Sequence, residues 1–204
     1  MTHEIKLIAV VGPSGIGKTT LVRALAKTGG FQTAYEEHGE RPFQRLAKQD
    51  RRYTFANQMD YLLLRAEQEV NLRASPLTGL MDGGLDLDFH GFTRLFFHRN
   101  LLSKDEFDLC RRFHTFVRRL TPPPELIVRL KAGSEQVTER LSKRNRINIA
   151  TAEDTALFNS LLDEWLAEVP PENLLELDVA REDVHYERSV RRILARIEES
   201  SKSV

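Results

Sequence analysis

Apolar residues recur along the chain with two periods, and stretches of the two kinds alternate from one end to the other. Ile5-Lys6-Leu7-Ile8-Ala9-Val10-Val11 is short, apolar and β-branched, which predicts a buried strand. Thr20 to Lys27 then places Leu21, Val22, Ala24 and Leu25 at helical spacing and closes on Gly29-Gly30. Phe31 to Tyr35 predicts a second strand, and Arg51 to about Leu72 a long helix carrying Phe55, Met59, Leu62, Leu63 and Ala66 on one side. Leu77 to Met81 is a third strand that runs into Asp82-Gly83-Gly84, with a helix from about Leu87 to Asn100 after it. Ser103-Lys104-Asp105-Glu106 has the form of a capping box, and the helix it opens stops before Pro122-Pro123-Pro124. The aromatic stripe on that helix suits a core or a subunit contact. Glu125 to Leu130 predicts the fourth strand and Leu174 to Val179 the fifth, with helices from about Ser134, from Thr151 to about Leu166, and from Val184 to Ile197. This alternation predicts one α/β domain over residues 1–204, a parallel sheet with helices on both faces.

Between the first strand and the first helix stands Gly12-Pro13-Ser14-Gly15-Ile16-Gly17-Lys18-Thr19, which fits G-x-x-x-x-G-K-[ST] at every fixed position. Glycines let the backbone of such a loop, here Gly12, Ser14, Gly15, Ile16 and Gly17, turn N–H groups toward phosphates, and the helix opening at Lys18, Thr19 and Thr20 adds its partial positive charge. Lys18 supplies a point charge for the terminal phosphates, and the Thr19 hydroxyl suits Mg²⁺. The implied ligand is a nucleoside triphosphate. Asp82, an acidic residue at a strand end, suits the same ion.

The remaining chemistry is less specific when each residue is taken singly. Glu36-Glu37-His38-Gly39-Glu40 follows the second strand, on the sheet edge where α/β proteins bind ligands, and a carboxylate there can take a proton from a hydroxyl; a solvated acidic turn fits the same residues. Gln58 and Arg65 are seven residues apart on one helix, so two turns bring them to nearly one face, roughly 10 Å apart at 1.5 Å per residue. A glutamine with its donor and acceptor suits a base edge, and an arginine offers a fork of donors. Arg140, Lys143, Arg144 and Arg146 cluster where a lid could close over a phosphoryl group, or where a basic surface or RNA contact could lie. His90, His98 and His114 show no metal-ligand spacing with carboxylates and are expected to be ordinary helix residues.

Composition narrows the partners. The 204 residues carry 30 Lys+Arg against 30 Asp+Glu, so net charge gives no pull toward nucleic acid or an acidic membrane. Cys110 is the only cysteine, which excludes an internal disulfide and a thiolate zinc cluster. Charged residues interrupt every hydrophobic run, so no membrane span is expected and the cytoplasm is the expected compartment.

In this order the motifs resemble the deoxynucleoside kinase family from about Ile5 to Asp183. The more specific part is Tyr35-Glu36-Glu37-His38-Gly39-Glu40-Arg41-Pro42-Phe43, followed by Phe55-x-x-Gln58 and Arg65. The resemblance implies a P-loop NTPase fold with a five-stranded parallel sheet and an arginine-bearing lid at about 140–150, ATP as phosphoryl donor, Mg²⁺, and a nucleoside 5′-hydroxyl as acceptor. It places the general base on Glu36, base reading on Gln58, Arg65 and Asp88, nucleotide contact on Arg140, and phosphoryl stabilisation on Lys18, Arg144 and Arg146. It also implies a homodimer through the helices around Leu62 and Phe96. Three departures stand out. Asp82-Gly83-Gly84 replaces the family's Glu/Asp-Arg-Ser, so an active-site arginine is missing unless Arg41, Arg52 or Arg94 substitutes. Ile147-Asn148-Ile149 replaces lid glutamates, and Ala47 lies near the expected tyrosine. Two other readings therefore stay open: a kinase of a non-nucleoside small alcohol, and a nucleotide-binding regulatory module that has lost transfer chemistry.

Overall fold

The computed structural model describes residues 4–35, 41–132 and 152–202. Glu36 and the basic cluster with Arg140, Arg144 and Arg146 lie outside the described residues. Strands β1 (Leu7–Val11), β2 (Phe31–Ala34), β3 (Thr78–Asp82), β4 (Leu126–Lys131) and β5 (Leu174–Asp178) form one sheet in the order β2-β3-β1-β4-β5. Every pairing is parallel. The helices are α1 (Lys18–Ala26), α2 (Pro42–Gln49), α3 (Thr54–Arg73), α4 (residues 85–98), α5 (Lys104–Leu120), α6 (Ala152–Leu166) and α7 (Glu187–Lys202).

All five residues of β1 are buried, as expected of a central strand covered on both faces. Its alternation decides what each face packs against. Ile8 and Val10 join Leu21, Val22 and Leu25 of α1 and Val190 and Ile193 of α7 in one core. Ala9 and Val11 point the other way, toward Leu95 of α4 and Phe158, Leu161 and Leu162 of α6. A further cluster joins Leu62 and Ala66 of α3 to Leu85 and Phe89 of α4 and Cys110 and Val117 of α5.

Two of the expected helices differ in form from the sequence expectation. The long helix begins as a 3-10 turn, Arg51–Tyr53, because the Asp50 carboxylate accepts a hydrogen bond from Arg52 N at 2.9 Å and holds the chain in a tighter coil before α3 proper. α4 is three segments in succession, Leu85–Leu87, a π-helical run Asp88–Thr93 and Arg94–His98. α5 opens as expected: Ser103 N donates to Glu106 Oε2 at 2.7 Å, and Glu106 N donates to Ser103 Oγ.

Candidate active site

The parallel register brings the carboxyl ends of β1 and β3 together, Val10 opposite Asp82, so the glycine loop leaves the sheet beside an aspartate. Gly12 has φ +145°, and a Cβ there would stand 3.1 Å from the Leu130 carbonyl oxygen and 3.2 Å from Ile16 Cγ2, so only glycine fits. Gly17 has φ +112° as the residue before α1, and no side chain caps that helix. Lys18 Nζ donates to the loop carbonyls of Gly12 and Pro13 at 2.9 and 3.1 Å. The Thr19 hydroxyl donates to Asp82 Oδ2. Asp82 is 1% exposed, and its Oδ1 is buried with no hydrogen-bond partner among the described residues. A buried carboxylate oxygen without a donor is costly, and a hard cation held by Asp82 and the Thr19 hydroxyl would satisfy it. These residues fit Mg²⁺.

Gln58, Arg65 and Asp88, the three residues that the resemblance groups, lie together in a buried polar cluster between α3 and α4. Arg65 Nε donates to Asp88 Oδ2 at 2.8 Å, with both side chains under 8% exposed. Gln58 Nε2 donates to the Asp88 carbonyl at 3.2 Å and to Thr93 Oγ1 at 2.8 Å, and the Thr93 hydroxyl donates to the same carbonyl at 2.9 Å. The π-helical run is thus bracketed by side-chain hydrogen bonds, a common use of π geometry at a site that must aim side chains. Sequence reasoning missed Gln68. Arg65 Nη1 donates to its Oε1 at 3.0 Å, and its Nε2 donates to the Tyr35 carbonyl at 3.2 Å, the residue before Glu36. One glutamine therefore ties the arginine to the end of β2.

At the position of the missing arginine, Gly83 has φ +90°, and a Cβ there would lie 3.2 Å from Arg65 Nη2. The Arg65 guanidinium occupies that neighbourhood. The three arginines considered as substitutes are each held by a carboxylate: Arg41 by Asp60 at 2.5 and 2.7 Å, Arg52 by Asp50, and Arg94 by Glu164 at 2.5 Å.

Behind this cluster runs a second one, and it corrects the expectation for two of the histidines. Glu69, fully buried, accepts from Arg118 Nη1 and Nη2 at 2.7 and 2.9 Å. Arg118 Nε donates to Asp86 Oδ1 at 2.7 Å, and His114 Nε2 lies 2.7 Å from the same oxygen. His90 joins them, its ring perpendicular to that of His114 with centroids 5.2 Å apart. Asp86 and His90 stand one helical turn apart and His114 arrives from α5, so chain folding supplied a grouping that local spacing concealed. Burial works to raise the Asp86 carboxyl, but hydrogen bonds and charge from His114 and Arg118 outweigh it and hold it at about 2. Burial, then the charge of His114, pushes His90 down to about 4. His98 does not take part in this grouping.

A glycine loop on the central strand, an aspartate on the neighbouring strand, and a buried polar cluster on the same edge place the chain in the P-loop class of nucleotide-binding folds. The match extends along nearly the whole chain. The deoxynucleoside kinase family model matches residues 8–201, and the chain belongs to that family. It is 26% identical over 143 residues to the deoxyadenosine/deoxycytidine kinase of Bacillus subtilis (strain 168), covering 69% of this chain and 66% of that protein, just under two thirds. It is 25% identical over 173 residues to the deoxyguanosine kinase of the same organism, 84% of this chain and 81% of that one. Among solved structures, deoxyadenosine kinase from M. mycoides with dCMP and a flexible dCDP bound superposes with a TM-score of 0.78 at 20% identity, over 95% of this chain and 99% of that one. Its complex with dATP gives 0.76 at 20% identity, over 94% and 99%. These structures share the five-stranded parallel fold. No helix among the described residues is long and apolar enough to cross a membrane.

Proposed function

We propose that the chain transfers the γ-phosphoryl group of ATP to the 5′-hydroxyl of a deoxynucleoside-type acceptor. The observation that carries this reading is the buried Gln58, Arg65 and Asp88 cluster on the same sheet edge as Lys18, Thr19 and Asp82. A module that only bound a triphosphate would have no use for a desolvated amide, guanidinium and carboxylate beside its phosphate loop. Curated relatives named for deoxyadenosine, deoxycytidine and deoxyguanosine support an acceptor with an exocyclic amine or amide edge to read.

In this mechanism Gln58, Arg65 and Asp88 orient the base, and Glu36 takes the proton of the acceptor hydroxyl as it attacks. Lys18, Arg144 and Arg146 neutralise charge on the transferring group, and Arg140 serves the nucleotide. Thr19 and Asp82 would hold Mg²⁺, which would supply positive charge against the donor phosphates. Arg65, lying against Gly83, brings a guanidinium to the region where the family places its missing arginine. Ile147-Asn148-Ile149, where the resemblance implies lid glutamates, argues for a preference among sugars that departs from the family's.

The test is ADP release with Mg-ATP against a panel of deoxyribonucleosides, ribonucleosides and non-nucleoside alcohols, with Lys18→Ala as the blank. Stimulation by one group of bases supports the reading. A response to simple alcohols, or a flat response with ATP still bound, removes it.

A further inference from the structure

The cluster of Asp86, His90 and His114 lies outside the proposed catalytic groups, and each of its three side chains offers a ligand atom, all within 4.8 Å of one another. We infer that these three side chains form a second metal site, for a borderline dication such as Zn²⁺, that fastens α4 to α5.

Three observations carry it. The ligand types are right: two imidazoles and one carboxylate suit Zn²⁺ and its first-row neighbours, whereas Mg²⁺ favours all-oxygen sites. The imidazoles are held from behind by aromatic faces. His90 stacks on Trp165 at 5.1 Å and 3°, and His114 stacks on Phe89 at 4.3 Å and 13°, so neither ring turns freely. The charge is also compatible with a cation. Glu69 and Asp86 are both buried, and Arg118 is the guanidinium that contacts both, so once ligation has left both imidazoles unprotonated this group carries one excess negative charge. A dication between Asp86 and the two rings compensates it, with Arg118 bonded to the carboxylate as an outer partner that fixes its orientation. Three protein ligands leave a coordination position for water. The site would brace the segment that carries Asp88, two residues on, without touching the substrate.

The experiment uses tag-free, chelator-treated full-length protein in excess Mg²⁺, which occupies the oxygen site at Thr19 and Asp82. Cobalt(II) is the first probe. Visible d–d absorption saturating at one equivalent, bleached by added Zn²⁺, is expected of the wild type. A rise in melting temperature of several degrees with Zn²⁺ should accompany it. In His90→Phe, which keeps a ring on Trp165, both responses are expected to fall at least tenfold in apparent affinity. Wild-type protein that shows no d–d band overturns the inference whatever the variant does. So does a band of unchanged affinity in a His90→Phe protein that melts cooperatively without metal.

Discussion

At the scale of single residues, Gly83 shows how a departure legible in sequence acquires its physical meaning only from the fold. The glycine is visible as a gap in the Glu/Asp-Arg-Ser pattern; the proximity of Arg65 is not, because it depends on α3 and the β3 turn meeting across distant parts of the chain. With φ +90° and Arg65 Nη2 3.2 Å from a built Cβ, the position resists the residue the family would place there. Gly83→Arg is therefore expected to lower stability by about 1–3 kcal/mol through backbone strain. It should also displace Arg65 from Asp88 and raise acceptor KM several-fold, with no gain in kcat. Thermal melts and steady-state kinetics check both; a gain in kcat would show that the vacated arginine was the missing catalytic element. The Thr19–Asp82 pair was legible, since Thr19 ends the glycine-loop motif in the first turn of α1 and Asp82 ends β3. The Asp86, His90 and His114 grouping was hidden because His114 lies on another helix.

Elements were read well where one apolar period ran unbroken and poorly where polar contacts reshape the backbone. All five strands fall within two residues of their expected ends, because each is a compact apolar run bounded by turn residues. α2 was missed. It has no buried residue, so its helix rests on Pro42 at the first turn rather than on a core stripe. The π-helical run in α4 carries no sequence period of its own, and its cause is tertiary. Gly91 makes room for Phe158, since a Cβ there would stand 2.6 and 2.7 Å from two of its ring atoms. Gly91→Ala should therefore cost about 1–3 kcal/mol by overpacking, despite alanine's better helix propensity, read as a lowered denaturation midpoint at unchanged m. Gln68 makes the complementary link from α3 to β2. Gln68→Leu leaves the Tyr35 carbonyl and the Arg65 fork each short of a partner, so acceptor KM is expected to rise about five- to thirtyfold, equivalent to roughly 1–2 kcal/mol, with the KM for ATP unchanged. Equal effects on the two KM values would mean that Gln68 supports the fold and not the acceptor side.

For the molecule as a whole, the alternation of strands and helices foretold a parallel sheet, and the resemblance its five strands, but neither told which surfaces remain uncovered. Leu62 and Phe96, which marked the expected subunit contact, are 0% and 5% exposed and belong to the chain's own core. The apolar side chains left in solvent are their neighbours. Leu63 and Val70 of α3 are 48% and 54% exposed, and Leu109, Phe116 and Leu120 of α5 are 44%, 59% and 69% exposed. Residues 63 and 70 are seven apart, as are 109 and 116, so each helix shows one face, and α3 and α5 pack together through Leu62, Ala66, Cys110 and Val117. Two adjacent helices with apolar outer stripes suit a self-complementary two-fold contact, a four-helix arrangement that buries both stripes at once. We therefore expect the protein to run in light scattering at twice its 23.5 kDa chain mass. Phe116→Asp with Leu120→Asp should return it to the chain mass while the melting transition stays cooperative, because neither side chain contributes to the core of its own chain. A wild type that is monomeric at tens of micromolar would refute the contact. A dimer that survives both aspartates would move it to another face.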